Sequence, residues 1–174
     1  AQITQLGGVP LHEAGFRGQG MRIGIIDGGY MNADRIPSLA KARALMARDM
    51  VYPYGDDVYG ELSHGMMVLS CMAAVDSHKY MGTAPEAEYL LLRSEYGPTE
   101  SLYEEDTWAM AAEVADSAGV DVINSSLGYA LFDDAATSHK YAELDGVSTL
   151  ISRTASMLAG KGIVLVCSAG NSGN

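Results

Sequence analysis

Cysteine is scarce in this chain. Cys71 and Cys167 are the two it has, and both fall inside apolar segments instead of flanking loops, so no disulfide framework is expected and both thiols are predicted to be free and buried. Positive charge is also short. Eleven Lys and Arg stand against 22 Asp and Glu, a formal charge of −11, which is a poor match to a phosphate backbone and argues against nucleic acid as a partner. Long apolar runs are missing too. None approaches the roughly 20 residues that span a bilayer, and no charged-then-apolar leader precedes Ala1, so neither a membrane span nor an export signal is expected within these residues. What is present is ordinary for a globular protein, with 48% hydrophobic and 19% charged residues, and 174 residues suffice for one domain around one core.

Residues 21–26 (MRIGII) form a short apolar run that ends in Asp27-Gly28-Gly29. This predicts a buried strand stopped by a glycine turn. Residues 63–74 (SHGMMVLSCMAA) are apolar all round, which predicts a buried helix with Ser63 as its cap and His64 in its first turn. Residues 88–93 (EYLLLR) are rich in strand formers, and residues 101–118 have helical spacing through Leu102, Trp108, Ala111, Ala112 and Ala115. The acidic start of that helix, Glu104-Glu105-Asp106, is expected to be solvated. Residues 120–127 predict a second buried strand, residues 147–159 a helix closed by Gly160, and residues 163–166 (IVLV) a last buried strand running into Ser168-Ala169-Gly170-Asn171. Residues 129–143, with weak periodicity and mixed charge, read as a long surface loop. Four apolar strands alternating with helices predict an α/β fold of three layers, αβα, with a mainly parallel sheet, because parallel crossovers need helices on the faces.

Asp27, Ser126 and Asn171 then fall at or just beyond carboxyl ends of strands, where open α/β sheets place ligands. A buried Asp that accepts a His ring N–H fixes the tautomer and stabilises the imidazolium, as a general base needs when it deprotonates a hydroxyl. His64, followed by Gly65 at the start of an apolar helix, is the obvious partner for Asp27. Residues 168–173 (SAGNSG) hold the Asn171 amide on a glycine-flanked turn, suited to donate to a developing oxyanion, although such a turn also serves as a plain strand-to-helix connection. Residues 124–128 (NSSLG) could present free backbone groups of an extended segment to a peptide. His78 and His139 lie in loop-like stretches without ligand-spaced partners, so no zinc site is expected. A dinucleotide-binding domain is disfavoured, since the glycines around Asp27 lack the G-x-G-x-x-G order.

In order and content these segments resemble the subtilisin-like serine peptidases, the subtilases, over residues 9–173. The strand ending in Asp-Ser/Thr-Gly is matched by MRIGIIDGG, which aligns Asp27 with the catalytic Asp. His-Gly-Thr-His followed by an apolar helix is matched by HGMMVLSCMAA at His64 and Gly65. A Gly-x-Ala-Pro-x-Ala segment is matched by GTAPEA, the substrate-binding strand VINMSLG by VINSSLG at residues 122–128, and the oxyanion-hole Ala-Gly-Asn by residues 169–171. The resemblance implies that Asp27 and His64 belong to an Asp-His-Ser triad, that Asn171 stabilises the oxyanion, and that Ser126, Leu127 and Gly128 line the pocket for the residue before the scissile bond. The polypeptide is the implied substrate.

The family's nucleophile lies in a Gly-Thr-Ser-Met-Ala helix start, and no Gly-Thr-Ser occurs in these residues. Residues 1–174 are therefore read as part of one catalytic domain, truncated at its C-terminal side, and the isolated chain is expected to be inactive for want of its nucleophile. An uncovered edge at the last strand would favour self-association or docking of a missing C-terminal segment. Gly28 stands where the family has a Ser or Thr, and Met66 where it has a Thr. These departures fit an alternative, a non-catalytic peptide-binding or structural module. No cofactor is expected. Calcium is common in the family and Gln2 sits where some members place a ligand, but residues 75–81 do not clearly reproduce a binding loop, and one amide is far from a coordination shell, so metal is left unassigned. An extracellular or periplasmic location is implied by the family alone.

Overall fold

Two short helices, α1 (Gln2–Gln5) and α2 (Val9–Glu13), lead into β1 (Arg22–Asp27) in a computed structural model that describes residues 2–52, 54–55, 57–77 and 79–171. Then follow β2 (Arg43–Asp49), α3 (His64–Ala73), the pair β3 (Val75–Asp76) and β4 (Tyr80–Met81), β5 (Glu88–Arg93), α4 (Tyr103–Ser117), β6 (Val122–Ser125), α5 (Leu150–Gly160) and β7 (Val164–Cys167). Five strands form one sheet in the order β2-β5-β1-β6-β7, every neighbouring pair parallel. β3 and β4 make a separate antiparallel ribbon.

The period-two geometry of a strand sends alternate residues to opposite faces. In β1 and β5, Ile23, Ile25, Tyr89 and Leu91 join a core with Leu69 and Ala73 of α3, whereas Ile26, Leu90 and Leu92 join one with Trp108, Ala111, Ala112 and Ala115 of α4 and Leu158 of α5. Both faces of the sheet are thus buried, which is why these strands read as continuous apolar runs. The three-layer α/β arrangement expected from the sequence is the one found.

Several local expectations are corrected. Strand β2 was not anticipated. Its sequence, RALMARD, is charged at both ends and lies at the sheet's edge, where an irregularity between Ala44 and Met46 leaves Leu45 50% exposed. Strand β7 lies at the opposite edge and is not buried: Val164 is 58% and Val166 49% exposed. Cys71 and Cys167 are exposed thiols, Cys71 on the outer side of α3 between buried Leu69 and Ala73, and Cys167 at the end of β7. Helix α3 buries one stripe through Gly65, Leu69 and Ala73 while Met67 is exposed, so it is not apolar-buried all round. Ser63 occupies its N-cap position without making a side-chain cap bond.

The start of α4 is not solvated either. Glu104 and Glu105 are each only 2% exposed. Glu104 accepts backbone N–H bonds from Tyr96 and Ser101, both at 3.1 Å, and Glu105 accepts bonds from His139 and from the Ile151 amide. These partners, local for Glu104 and remote in sequence for Glu105, are what make burial of two carboxylates tolerable.

Candidate active site

Asp27 ends β1 with the parity of Ile23 and Ile25, so its side chain faces α3. It is fully buried. The Gly28 amide donates to its Oδ1 at 2.8 Å, and the His64 Nδ1–H donates to Oδ1 at 2.8 Å with Oδ2 at 3.0 Å. Burial raises the Asp27 carboxyl above its ordinary value, and the bonds from His64 and Gly28 work against that rise. The imidazole itself is half exposed, its side chain 52% accessible, and among the described residues its Nε2 has no hydrogen-bond partner. One nitrogen is held and the other is open to a reactant.

Close approach of α3 to β1 depends on glycine. A Cβ at Gly65 would lie 2.7 Å from the Gly29 carbonyl oxygen and 2.9 Å from Asp27 Cβ and from the Tyr30 ring, and one at Gly29 would lie 2.2 Å from the Glu61 carbonyl oxygen. The loop entering α3 is held from the other side. Leu62 has φ +49°, a left-handed backbone that a γ-branched residue seldom adopts, and its carbonyl accepts the Met31 N–H at 3.0 Å. Its side chain packs over Gly28 and Gly97. Next to it, Glu61 accepts a bond from Arg93 Nη2 at 2.7 Å, while Arg93 Nη1 donates to buried Asp49 at 3.0 Å and the guanidinium lies 5.1 Å from the Tyr52 ring centre. Arg93 pairs in register with Asp27 on one side and Asp49 on the other. Sequence reasoning missed this clamp, although an Arg closing an otherwise apolar strand was a signal for it.

The ends of β6 and β7 complete the same edge. Ser125 accepts the Trp108 indole N–H at 2.9 Å, which seats the strand on α4. Ser126 accepts a bond from the Asn124 amide at 3.0 Å; Leu127 and Gly128 line a cavity of about 190 Å³ with Trp108, Tyr129, Ile151 and Leu165. Ser168 ties the following turn to this segment, its N–H donating to the Ser125 carbonyl at 3.1 Å and its hydroxyl to the Leu127 carbonyl at 3.2 Å. Asn171 is exposed beyond that turn, after Gly170 at φ +79°. Parallel strands bring all these ends to one edge, and β7 lies two strands from β1, roughly 10 Å away. Asp27 and His64 are joined directly; among the described residues no hydrogen bond links Asn171 to them. Ser172, Gly173 and His78 lie outside the described residues.

His139, read as an unpartnered loop histidine, instead bonds Glu105 and stacks edge-on against Phe132 with ring centres 5.5 Å apart. Gln2 and Asp76 line one cavity with Lys79, whose ammonium lies 3.8 Å from Asp76. Among the described residues no group of three or more His, Cys, Asp or Glu is placed to hold a metal ion. No helix among them is long and apolar enough to cross a membrane.

Comparison with solved structures gives the same fold. MycP1 with its N-terminal propeptide removed is 23% identical with a TM-score of 0.68, covering 95% of this chain and 48% of that one. The prenylagaramide maturation protease PagA is 20% identical with a TM-score of 0.69, covering 95% and 52%. The self-cleaved protease domain of PatA is 22% identical with a TM-score of 0.65, covering 89% and 51%. The chain thus spans about half the length of the structures it matches. No curated protein matches this sequence. The sequence model of the Subtilase family matches residues 18–174, and the chain belongs to that family.

Proposed function

We propose that this chain is the Asp- and His-bearing part of a serine endopeptidase catalytic domain, and that the protein containing it hydrolyses peptide bonds through an Asp-His-Ser triad. The observation that carries this reading is the contact of His64 Nδ1 with both oxygens of a fully buried Asp27, beside a half-exposed ring. In the proposed reaction, His64 Nε2 takes the proton of a serine hydroxyl as that oxygen attacks the scissile carbonyl. Asp27 holds the tautomer and stabilises the imidazolium without itself taking the proton. His64 then returns the proton to the leaving amine.

The Asn171 amide is assigned to the developing oxyanion. Ser126, Leu127 and Gly128 are assigned to the substrate, which would add as an extended strand along their backbone, with a side chain directed to the cavity that Leu127 and Gly128 line. The nucleophile must be a serine outside these residues, since the sequence holds no Gly-Thr-Ser. Replacement of the family's hydroxyl by Gly28 does not deprive Asp27 of support, because the Gly28 amide bonds it at 2.8 Å. That weakens the case for a non-catalytic module. Export of the protein is proposed on family grounds; among the matched structures, one MycP1 is described as from the ESX-1 type VII secretion system. The test is hydrolysis of an unfolded polypeptide by the full-length protein: His64→Ala lowers kcat by about 10⁴-fold or more, and a His64→Ala protein as active as the parent would sink the proposal.

A further inference from the structure

The proposed reaction leaves Glu95 unused. It lies two residues beyond β5, past the edge at which β1 and β6 end. Its Oε1 accepts a hydrogen bond from the Tyr129 hydroxyl at 2.9 Å, and Tyr129 directly follows the segment assigned to substrate. Its Oε2 lies 3.7 Å from where a Cβ at Gly28 would stand. The carboxylate therefore lies between the Asp27-Gly28 turn and the hydroxyl of Tyr129, the residue next in sequence to the Ser126-Leu127-Gly128 segment.

This carboxylate is short of partners. Among the described residues Oε2 accepts no hydrogen bond and neither oxygen meets a cation. The Arg93 guanidinium spends its terminal nitrogens on Asp49 and Glu61 and gives Nε to the Glu95 backbone carbonyl at 3.3 Å. The adjacent Ser94 hydroxyl is fully buried toward Tyr129 without a well-formed bond. Burial above all, with Glu104, Glu100 and Asp27 adding like charge, pushes the Glu95 carboxyl up to about 7 against the bond from Tyr129. A half-buried carboxylate with one free oxygen and acidic neighbours is a receptor for a cation that arrives with the ligand.

We infer that Glu95 is a specificity-determining residue that receives a basic side chain, Lys or Arg, of the polypeptide on the N-terminal side of the scissile bond. The inference rests on reading this edge as a peptidase site. A Lys ammonium would donate to Oε2 and offset the surrounding acids, a norleucine of similar length would leave the carboxylate unpaired, and a Glu would be repelled.

The test uses the full-length protein carrying His64→Ala, so that peptides bind without turnover, and measures fluorescence-anisotropy affinities for a lysine-scanned peptide set and its norleucine counterparts. At one position lysine binds about tenfold tighter than norleucine, the effect of one charge-assisted hydrogen bond, and Glu95→Gln brings that ratio to about one. An equal ratio with and without Glu95→Gln overturns the inference, because a purely structural Glu95 would change both affinities together. A second readout needs no substitution at Glu95: its side-chain carboxyl, followed by ¹³C NMR, titrates at lower pH when the lysine peptide is bound. An unmoved titration also overturns the inference. Hydrolysis by the protein with His64 intact is scored separately. Absence of cleavage beside a Glu95-dependent lysine preference refutes the peptidase reading and leaves the binding assignment standing.

Discussion

At the scale of single residues, the Asp27–His64 pair was legible because each partner bounds an apolar run, Asp27 closing residues 21–26 before a glycine turn and His64 opening the helix that follows Ser63. Glu61, Arg93 and Glu95 were not, since their partners come from β2, from the loop before α3 and from Tyr129, separations that periodicity does not register. Asp27→Asn keeps the shape but reverses the donor pattern facing Nδ1, so it should lower kcat of the full-length protein by about 10⁴-fold, as steady-state kinetics on a peptide substrate would show; unchanged kcat would remove Asp27 from the mechanism. Glu95 makes a prediction about stability. Its carboxyl rises from 4.5 to about 7 on folding, so the folded state keeps a proton that the unfolded chain releases. The contribution of this group to stability is then fully present below about pH 4.5 and is lost as pH rises through about 7, with Asp27 adding a contribution of the same sign. Urea unfolding over that range should show the decline, and Glu95→Gln should flatten it.

At the scale of elements, the central strands were legible and the edges were not. β1 and β5 are buried on both faces, so between their charged end residues they read as unbroken runs, Ile23 to Ile26 and Tyr89 to Leu92, whereas β2 is mostly exposed and carries Arg48 within it, and β7 exposes Val164 and Val166. An edge strand needs only one buried face, which weakens its signal and makes apolar residues a poor guide to burial. The junction of α3 with β1 is where packing fixes the chemistry. Gly65→Ala places a methyl 2.7 Å from the Gly29 carbonyl oxygen, and should cost about 1–3 kcal/mol while pulling His64 away from Asp27. Denaturant unfolding together with the His64 Nδ1–H NMR resonance checks both effects; an unshifted resonance would show that the junction adapts. Removing the carboxylate that answers Arg93, Asp49→Ala, should destabilise by about 3–5 kcal/mol by leaving a buried guanidinium underpaired. A loss below about 1 kcal/mol, within the range of an exposed pair, would mean that Glu61 and Tyr52 suffice.

At the scale of the whole molecule, one edge of a parallel sheet gathers the proposed machinery, with Asp27 at the end of β1, Ser126 just beyond the end of β6 and the Ala-Gly-Asn turn after β7. This convergence follows from topology and was anticipated from four strands alternating with helices. The exposed side chains of β7 bear on association. In isolation this chain is predicted to self-associate through that strand, so sedimentation velocity should give a size that grows with concentration and falls on Val166→Lys; a monomer at every concentration would refute this. The most direct test of the central claim, that Asp27 and His64 activate a serine, is labelling with a fluorophosphonate probe. The account predicts that the full-length protein labels, that His64→Ala abolishes the labelling, and that this chain alone stays unlabelled; a folded full-length protein that stays unlabelled, or His64-dependent labelling of this chain alone, would contradict it.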